Sequence, residues 1–465
     1  DGVAEQSAAA PLAPRAAARA LLLGRASLGR AALDPPAAGE DPVAHAVRLA
    51  RGADGLVVAV QGPPGAGKSF LGAEVVDALL AGAGPGGVRI GVTANSHAVV
   101  QHLLRSIHSR SPAAVVRHKG AGASTAKDPD RWERLCEHPP CPEPALVTGH
   151  AAGWGAGEVL GGTAWAFAPE TAPALDWLVV DEAGQMALAD VLAAARHARN
   201  VLLLGDPQQL AKPSKAAHPA GVGVSALTHL MRGAATMPAD RGIFLPSTRR
   251  MHADVAAFIS DIAYDGRLAA HPVCADRAVL PLQPGADDPL SGTGLRHVPV
   301  VHEGNAQSSD EECAVVVALV RQLLRRRWTA AGEVADVTEA DVLVVSPYTV
   351  AVRRLEAALA RAGLGGVQVG TVDRFQGREA VAVVYATASS DADSAPRGLG
   401  FLYDTHRLNV AVSRARCLAF WVGSPQLLRP RVGAAHQVPL VDAHCRFVEH
   451  AVVVPPALLD GAATR

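Results

Sequence analysis

The chain has 465 residues, enough for two or three domains that each bury a core, and its 43 Lys and Arg against 44 Asp and Glu leave a formal net charge of −1. That balance excludes a global basic field, so any nucleic-acid contact must be local. Aromatics are 4% of residues within a hydrophobic share of 49%, and no run of 18 apolar residues occurs, so no membrane-spanning helix and no membrane partner are expected.

Residues 1–40 are rich in Ala, Pro and Arg, with one helical stretch near Ala16 to Leu33, and read as a linker or the remnant of an upstream domain. Asp1 stands where a Met would start a chain and no charged-then-apolar leader follows, so a preceding segment is expected. Six irregularly spaced cysteines fit reduced thiols in a cytoplasmic protein. Over residues 41–240 short β-rich runs alternate with helical stretches: Leu56–Val60, Val88–Ala94, Leu178–Asp181 and Val201–Gly205, with Ile243–Leu245 at the junction. That alternation predicts a parallel sheet covered by helices. The stretch from Lys68 to Asp181 is longer than one strand–helix repeat needs, which predicts an inserted subdomain at about 101–175. A second series fills 241–465: Val298–His302, Val342–Ser346, Val367–Thr371, Val381–Thr387 and Leu418–Val422. There Ser309 and Glu312 predict a capping box opening a helix that runs toward Arg327. The fold class is α/β, with two such domains in tandem.

Residues 62–69 read Gly62-Pro63-Pro64-Gly65-Ala66-Gly67-Lys68-Ser69, with a strand before them and the helical stretch Phe70–Leu80 behind. This is a phosphate-binding loop in its required setting. The glycines let successive N–H groups converge on one anion, and the helix N-terminus adds partial positive charge. Lys68 can reach the β- and γ-phosphates and Ser69 can ligate Mg²⁺. A glycine-rich turn with a stray lysine would not explain the strand and the helix.

Asp181-Glu182 closes the apolar run Trp177–Val180 and precedes Ala183-Gly184-Gln185. Beside a phosphate loop, such an Asp orders Mg²⁺ through its water shell and such a Glu orients or deprotonates the attacking water. Gly205-Asp-Pro-Gln-Gln-Leu210 follows another strand, where a polar loop faces the ligand crevice. Farther on stand Thr248-Arg249-Arg250-Met-His252, Thr371 to Glu379, and Leu408 to Arg416. Arg414 and Arg416 lie two apart and point in different directions on a helix, so one can face a nucleotide while the other anchors locally. Arginine suits this work because its planar fork stays charged and grips phosphate oxygens. Any one of these arginines alone reads as a solvated charge.

In their order, these segments resemble the superfamily 1 helicases, in the branch of the nonsense-mediated-decay helicase, over about residues 50–450. The matching pieces are GPPGAGKS, Thr93-Ala-Asn-Ser-His97, Gly162-Thr163, DEAGQ at 181–185, GDPQQL at 205–210, Arg250-Met-His252, Ser346-Pro-Tyr348 and the segments ending at Glu379 and Arg416. The wording of TANSH, GGTAW and HPAGVGVSAL is similar to bacterial fusions in which a RecB-like nuclease precedes the helicase. The resemblance implies tandem RecA-like domains that bind ATP·Mg²⁺ in the cleft between them and move 5′→3′ on single-stranded DNA or RNA. It implies an ATPase set of Lys68, Ser69, Asp181, Glu182, Gln209, Arg250 and Arg414, with Arg249 at the base and Gln376, Gly377 and Glu379 coupling nucleotide to strand. It implies strand contacts at Thr93, Ser96, His97 and Thr163, and a nuclease upstream or as a separate partner. Arg249 stands where relatives carry an aromatic residue, and no adenine-reading glutamine motif precedes the phosphate loop.

Two other readings stand beside the motor: a translocase or ribonucleoprotein remodeller that does not unwind, and a nucleotide switch that binds a protein. A nuclease within the chain has no PD-(D/E)xK pattern to support it. Cys136-x-His138-x₂-Cys141 lacks a second ligand pair at zinc spacing and reads as a loop, and Arg325-Arg-Arg327-Trp328 reads as a solvated helix end.

Overall fold

The computed structural model describes residues 15–119, 145–146, 156–210, 223–375, 377–393 and 395–459. These fall into two compact units: those within Asp1–Gly62, Gly67–Pro207 and Ala211–Leu245 in one, and those within Pro63–Ala66, Gln208–Leu210 and Pro246–Arg465 in the other. Gln376 and the Cys136–Cys141 segment lie outside the described residues.

The first unit opens with helices α1 (Ala16–Leu22) and α2 (Pro42–Arg51), then strand β1 (Val57–Gln61) and helix α3 (Lys68–Ala81). Strand β2 (Ile90–Thr93), helix α4 (His97–Arg110) and strands β3 (Val115–His118), β4 (Ala145–Leu146), β5 (Glu158–Gly161), β6 (Leu175–Val180), β7 (Ala198–Gly205) and β8 (Ile243–Phe244) complete its frame. The eight strands form one parallel sheet in the order β4-β3-β5-β2-β6-β7-β1-β8. Strands β1, β2 and β7 are buried almost throughout, as expected of a sheet covered on both faces.

Two expectations need correction here. Residues 16–33 are not a linker: Ala16, Ala17, Ala20, Leu21, Ala26 and Leu33 are buried, and Val57 N–H donates to Ala26 O at 2.7 Å. Small side chains let α1 lie close on the sheet, and an alanine-rich composition hides that packing from a hydrophobicity pattern. Nor do the described residues of 101–175 form a separate subdomain, because β3, β4 and β5 widen the main sheet beyond β2.

In the second unit, β9 (Ser247–Thr248) pairs with β10 (Ala269–Ala270), and β11 (Ala278–Val279), β13 (Arg327–Ala330) and β14 (Glu333–Asp336) make a small antiparallel sheet. The main sheet is parallel and six-stranded. It uses β12 (Gly294–Pro299), β15 (Val342–Val345), β16 (Gln368–Gly370), β17 (Ala380–Ala386), β18 (Ala415–Gly423) and β19 (Val452–Val453), in the order β16-β15-β17-β18-β12-β19. Strand β12 starts and ends earlier than Val298–His302, since Gly294 already pairs with Leu418. Arg326 is no solvated helix end. The helix stops at Leu323, and Arg326 is buried with a two-pronged grip on the Asp288 carboxylate at 2.9 and 2.8 Å. No described helix is long and apolar enough to cross a membrane.

Ser309 caps the helix Asp310–Leu323, its hydroxyl accepting from Glu312 N–H at 3.0 Å. The Glu312 carboxylate does not complete a capping box but turns inward. It accepts from Ala388 N–H (2.8 Å) and Thr387 Oγ1 (3.2 Å) and meets His302 Nε2 (3.0 Å), whose Nδ1 meets Ser390 Oγ at 2.8 Å. Burial pushes the Glu312 carboxyl above its ordinary range, and the His302 contact and the Ala388 N–H pull it back down. Such a network stabilises only while every member is satisfied. Glu312→Ala should therefore lower unfolding free energy by roughly 3 kcal/mol in urea denaturation, and Glu312→Gln by clearly less, because it leaves fewer buried groups unpaired. Equal losses in the two variants would refute this account.

Candidate functional site

The loop after β1 departs from the sheet with Gly62 N–H donating to Gly205 O at 2.9 Å. Gly67 has φ +87° and stands at the N-cap of α3, which begins at Lys68, two residues before the expected Phe70. A left-handed residue here turns the chain so that the first helical N–H groups face outward. The Lys68 side chain lies over Gly62, where a Cβ would overlap Lys68 Cγ, and its Nζ donates to Gly62 O at 2.6 Å. Gly62 is therefore fixed by close approach rather than by conformation.

Strands β1 and β7 are neighbours, and β7 neighbours β6, so the acid pair follows the phosphate loop along one sheet edge. Asp181 is 4% exposed, and its N–H donates to Thr93 O at 2.8 Å. Burial, then the Glu182 charge, push its carboxyl well above the ordinary carboxylate range, while the Glu182 N–H and Lys68 pull it down. Glu182 has φ +53°, left-handed for a residue with a side chain, a conformation that costs on the order of 1–3 kcal/mol and gathers at functional sites. Its N–H donates to Asp181 Oδ1 at 2.9 Å, and its Oε2 accepts from Gln185 Nε2 at 3.4 Å. Gln185 Oε1 in turn accepts from Asn95 Nδ2 at 2.7 Å. Asp206 and Gln209 are buried beyond the end of β7.

The motif pattern gave no role to Asn95 or Gln185. Gln185 is four residues on from Asp181, a spacing that motif wording alone does not interpret. The link to Asn95 exists only because β2 lies beside β6.

Beyond β6 the same edge carries the ends of β2, β5 and β3. Ser96 caps α4, its hydroxyl accepting from Val99 N–H at 3.3 Å. His97 Nδ1 lies 3.1 Å from His118 Nε2, with the rings edge to face. Burial, and then the neighbouring imidazole, push His118 down to about 4, so His118 is neutral at pH 7. Thr163 is half-buried and its hydroxyl makes no cap bond. Thr93 does not fit a strand contact. It closes β2 inside the sheet and is fully buried, so its neighbours Ser96, His97 and Thr163 are the hydroxyl and imidazole groups near the surface.

In the second unit, the segments ending at Glu379 and Arg416 run side by side, Ala380 opposite Ala415. Glu379 Oε2 accepts from Arg250 Nε at 2.9 Å, and Oε1 accepts from Arg416 Nε at 3.0 Å. Burial alone would raise the Glu379 carboxyl, but Arg416 and Arg250 hold it below its ordinary value. Burial lowers the Arg250 guanidinium, opposed by the Glu379 charge. Arg250 also donates to Ser413 O at 3.3 Å. Arg414 is 1% exposed and donates from Nε to Val410 O (3.0 Å) and from Nη1 to Arg378 O (3.3 Å). Arg249 is exposed while its carbonyl accepts from Arg277 at 3.0 Å, and Gly377 has φ +84°. Among the described residues no group of three or more His, Cys, Asp and Glu could hold a metal ion by themselves.

Two family profiles, both described as AAA domain, match residues 44–236 and 223–426. The RNA helicase Mov10l1 of Mus musculus is 29% identical over 277 residues, 54% of this chain and 23% of that protein. The DNA-binding protein SMUBP-2 of Rattus norvegicus is 31% identical over 253 residues, 52% of this chain and 24% of that protein. The chain thus spans about a quarter of the length of these curated relatives. A crystal structure of Arterivirus nonstructural protein 10 (helicase) is 17% identical and covers 82% of this chain and 61% of its own, at a TM-score of 0.41. AAA-domain profiles cover both halves of the chain and the relatives that match it include an RNA helicase, so the chain is similar to the superfamily 1 helicases.

Proposed function

We propose that this chain is an ATP hydrolase that converts hydrolysis into 5′→3′ movement along single-stranded nucleic acid, DNA by preference, and parts a duplex ahead of it. The observation that carries the reading is the first sheet's carboxyl edge. Phosphate loop and acid pair occupy one stretch of it, hydroxyl and imidazole groups the next, and Asn95–Gln185–Glu182 hydrogen bonds join the two. The N–H groups from Gly65 to Ser69, with Pro63, Pro64 and Ala66 shaping the loop, would hold the phosphates of ATP, and Lys68 would neutralise them. Mg²⁺ fits Ser69 and Asp181, because a divalent cation keeps ionised a carboxyl that burial would otherwise protonate. Once bound, Mg²⁺ supplies charge neutralisation at the phosphates.

Glu182 then takes a proton from the attacking water, and Gln209 orients that water or the γ-phosphate. Arg250 and Arg414 meet the charge that develops on the γ-phosphoryl group, while Gln376, Gly377 and Glu379 link that event to the strand and Arg249 stacks on the base. Among relatives we take the RecB-like nuclease fusions as the nearest branch, on the wording of TANSH and GGTAW, with a nuclease as fusion or separate partner. The deciding experiment measures ATP hydrolysis with single-stranded DNA, single-stranded RNA and no nucleic acid, beside strand displacement on a tailed duplex. Hydrolysis indifferent to both strands would replace the motor with a nucleotide switch.

Arg414→Ala should keep nucleotide affinity within several-fold yet slow single-turnover hydrolysis by roughly 10³, about 4 kcal/mol in the barrier. Arg250→Ala should act similarly, and the double variant should cost less than the sum, since both groups serve one charge. Lys68→Ala should also weaken binding of a fluorescent nucleotide. An Arg414→Ala variant that is folded by thermal melt and hydrolyses at the wild-type rate would sink this assignment.

Asn95 acts through Gln185 on Glu182. Asn95→Ala and Gln185→Ala should each cut strand-stimulated hydrolysis by roughly three- to tenfold, the worth of one hydrogen bond, and the double variant should be no worse than the weaker single. Additive losses would show that the two residues do not form one chain of bonds.

A further inference from the structure

Trp165 is 84% exposed, more than any other large apolar residue among those described. An indole left in water forgoes burial of a large apolar face, so a single Trp held outward calls for a flat partner. The indole sits on a well-fixed turn. Ala166 N–H donates to Thr163 O at 2.8 Å and Phe167 N–H to Ala164 O at 3.1 Å, closing the one-turn 3₁₀ helix Ala164–Ala166. Two residues after Trp165, Phe167 is 1% exposed and pins the turn to the core. The turn leaves the carboxyl end of β5, between the ends of β3 and β2.

Its surroundings are polar and cationic. Lys119 N–H donates to Gly161 O at 2.8 Å, which sets Lys119 beside the turn, and a Cβ on Gly162 would come within 3.5 Å of Lys119 Cβ. Thr163 precedes the indole by two residues, and the His97–His118 pair stands on the adjoining β3 end and α4 start. A turn that holds an indole outward beside a lysine and a threonine, with a histidine pair at the neighbouring strand end, matches an unpaired nucleotide, whose base is flat and apolar and whose phosphate is charged. A wide apolar protein interface would need further exposed apolar neighbours, and Thr163, Ala164 and Ala166 around the indole are half-buried small residues instead.

We propose that Trp165 is a stacking platform for one unpaired base of a single strand whose phosphate is held by Lys119 and Thr163. This rests on the nucleic-acid reading above and deepens it by naming the residue that takes the base. Every base has a π-face, so the platform is blind to sequence and suits a motor that must pass any strand.

The test uses the whole chain and a labelled oligothymidylate carrying one abasic site at each position in turn, with affinity read by fluorescence anisotropy. Wild type should lose roughly tenfold when the abasic site falls on the platform. Trp165→Ala should lose roughly tenfold on the intact strand and nothing further at that abasic position, and Trp165→Phe should recover most of the loss. Lys119→Ala should flatten the dependence of log K on log salt by about 0.7, while Trp165→Ala leaves that slope alone. Wild-type affinity in a Trp165→Ala chain that melts at the wild-type temperature would overturn the platform and assign the indole to a protein contact. If wild type itself binds no single strand, the motor reading falls first, and that result is distinct from a failure of Trp165 alone.

Discussion

A parallel sheet delivers every loop that leaves a strand's carboxyl end to one edge, and the first unit's chemistry depends on that constraint. Six consecutive strands, β3-β5-β2-β6-β7-β1, bring Lys119, Thr163, His97, Asp181, Asp206 and the phosphate loop into line although they are distant in sequence. No loop has to reach far, so each group is held by backbone that the sheet already fixes. The hydrogen bonds at the strand ends show the fixing: Asp181 N–H on Thr93 O, Gly62 N–H on Gly205 O, and Ala183 N–H on Leu204 O.

The second unit solves a different problem, which is to keep several arginines close without mutual repulsion. Glu379 does this by offering one carboxylate oxygen to Arg250 and the other to Arg416. Arg414, more deeply buried, donates to the Val410 and Arg378 carbonyls and to Ser413 Oγ. Carbonyl oxygens orient a guanidinium without cancelling its charge, whereas a carboxylate partner neutralises it. Glu379 thus offsets one of the two charges of Arg250 and Arg416, while the carbonyls of Val410 and Arg378 orient the Arg414 guanidinium.

The candidate site residues were readable in the sequence because phosphate, metal and water each demand particular residue types at fixed spacing, and the structure puts Lys68 at the start of α3 and buries Asp181 just past the end of β6. The strand runs were legible too, since β-branched stretches such as Val57–Val60 and Val381–Val384 admit little else. What failed did so for through-space reasons. The resemblance implies a strand contact at Thr93, but its place at the end of β2 buries it. Glu312 carried a capping signal that a deeper network took over. Arg326 looked like a solvated charge until Asp288, thirty-eight residues away, supplied a carboxylate. In each case local propensity yielded to a partner that only the fold brings near.

Glu182 shows why such a partner matters for function as well as for stability. A left-handed backbone at a glutamate is unfavourable by itself and persists only where surroundings over-determine it. Here the surroundings are its own N–H on Asp181, the Gln185 amide on its carboxylate, and Asn95 behind Gln185. The last of these stands one residue before the cap of α4, at the carboxyl end of β2. A shift of α4 by a few tenths of an ångström would lengthen the Asn95 bond, and Gln185 would then release a carboxylate already in an unfavourable conformation. Strain at Glu182 thus makes its position sensitive to an event at α4, in a way a relaxed glutamate, content in its own geometry, could not be.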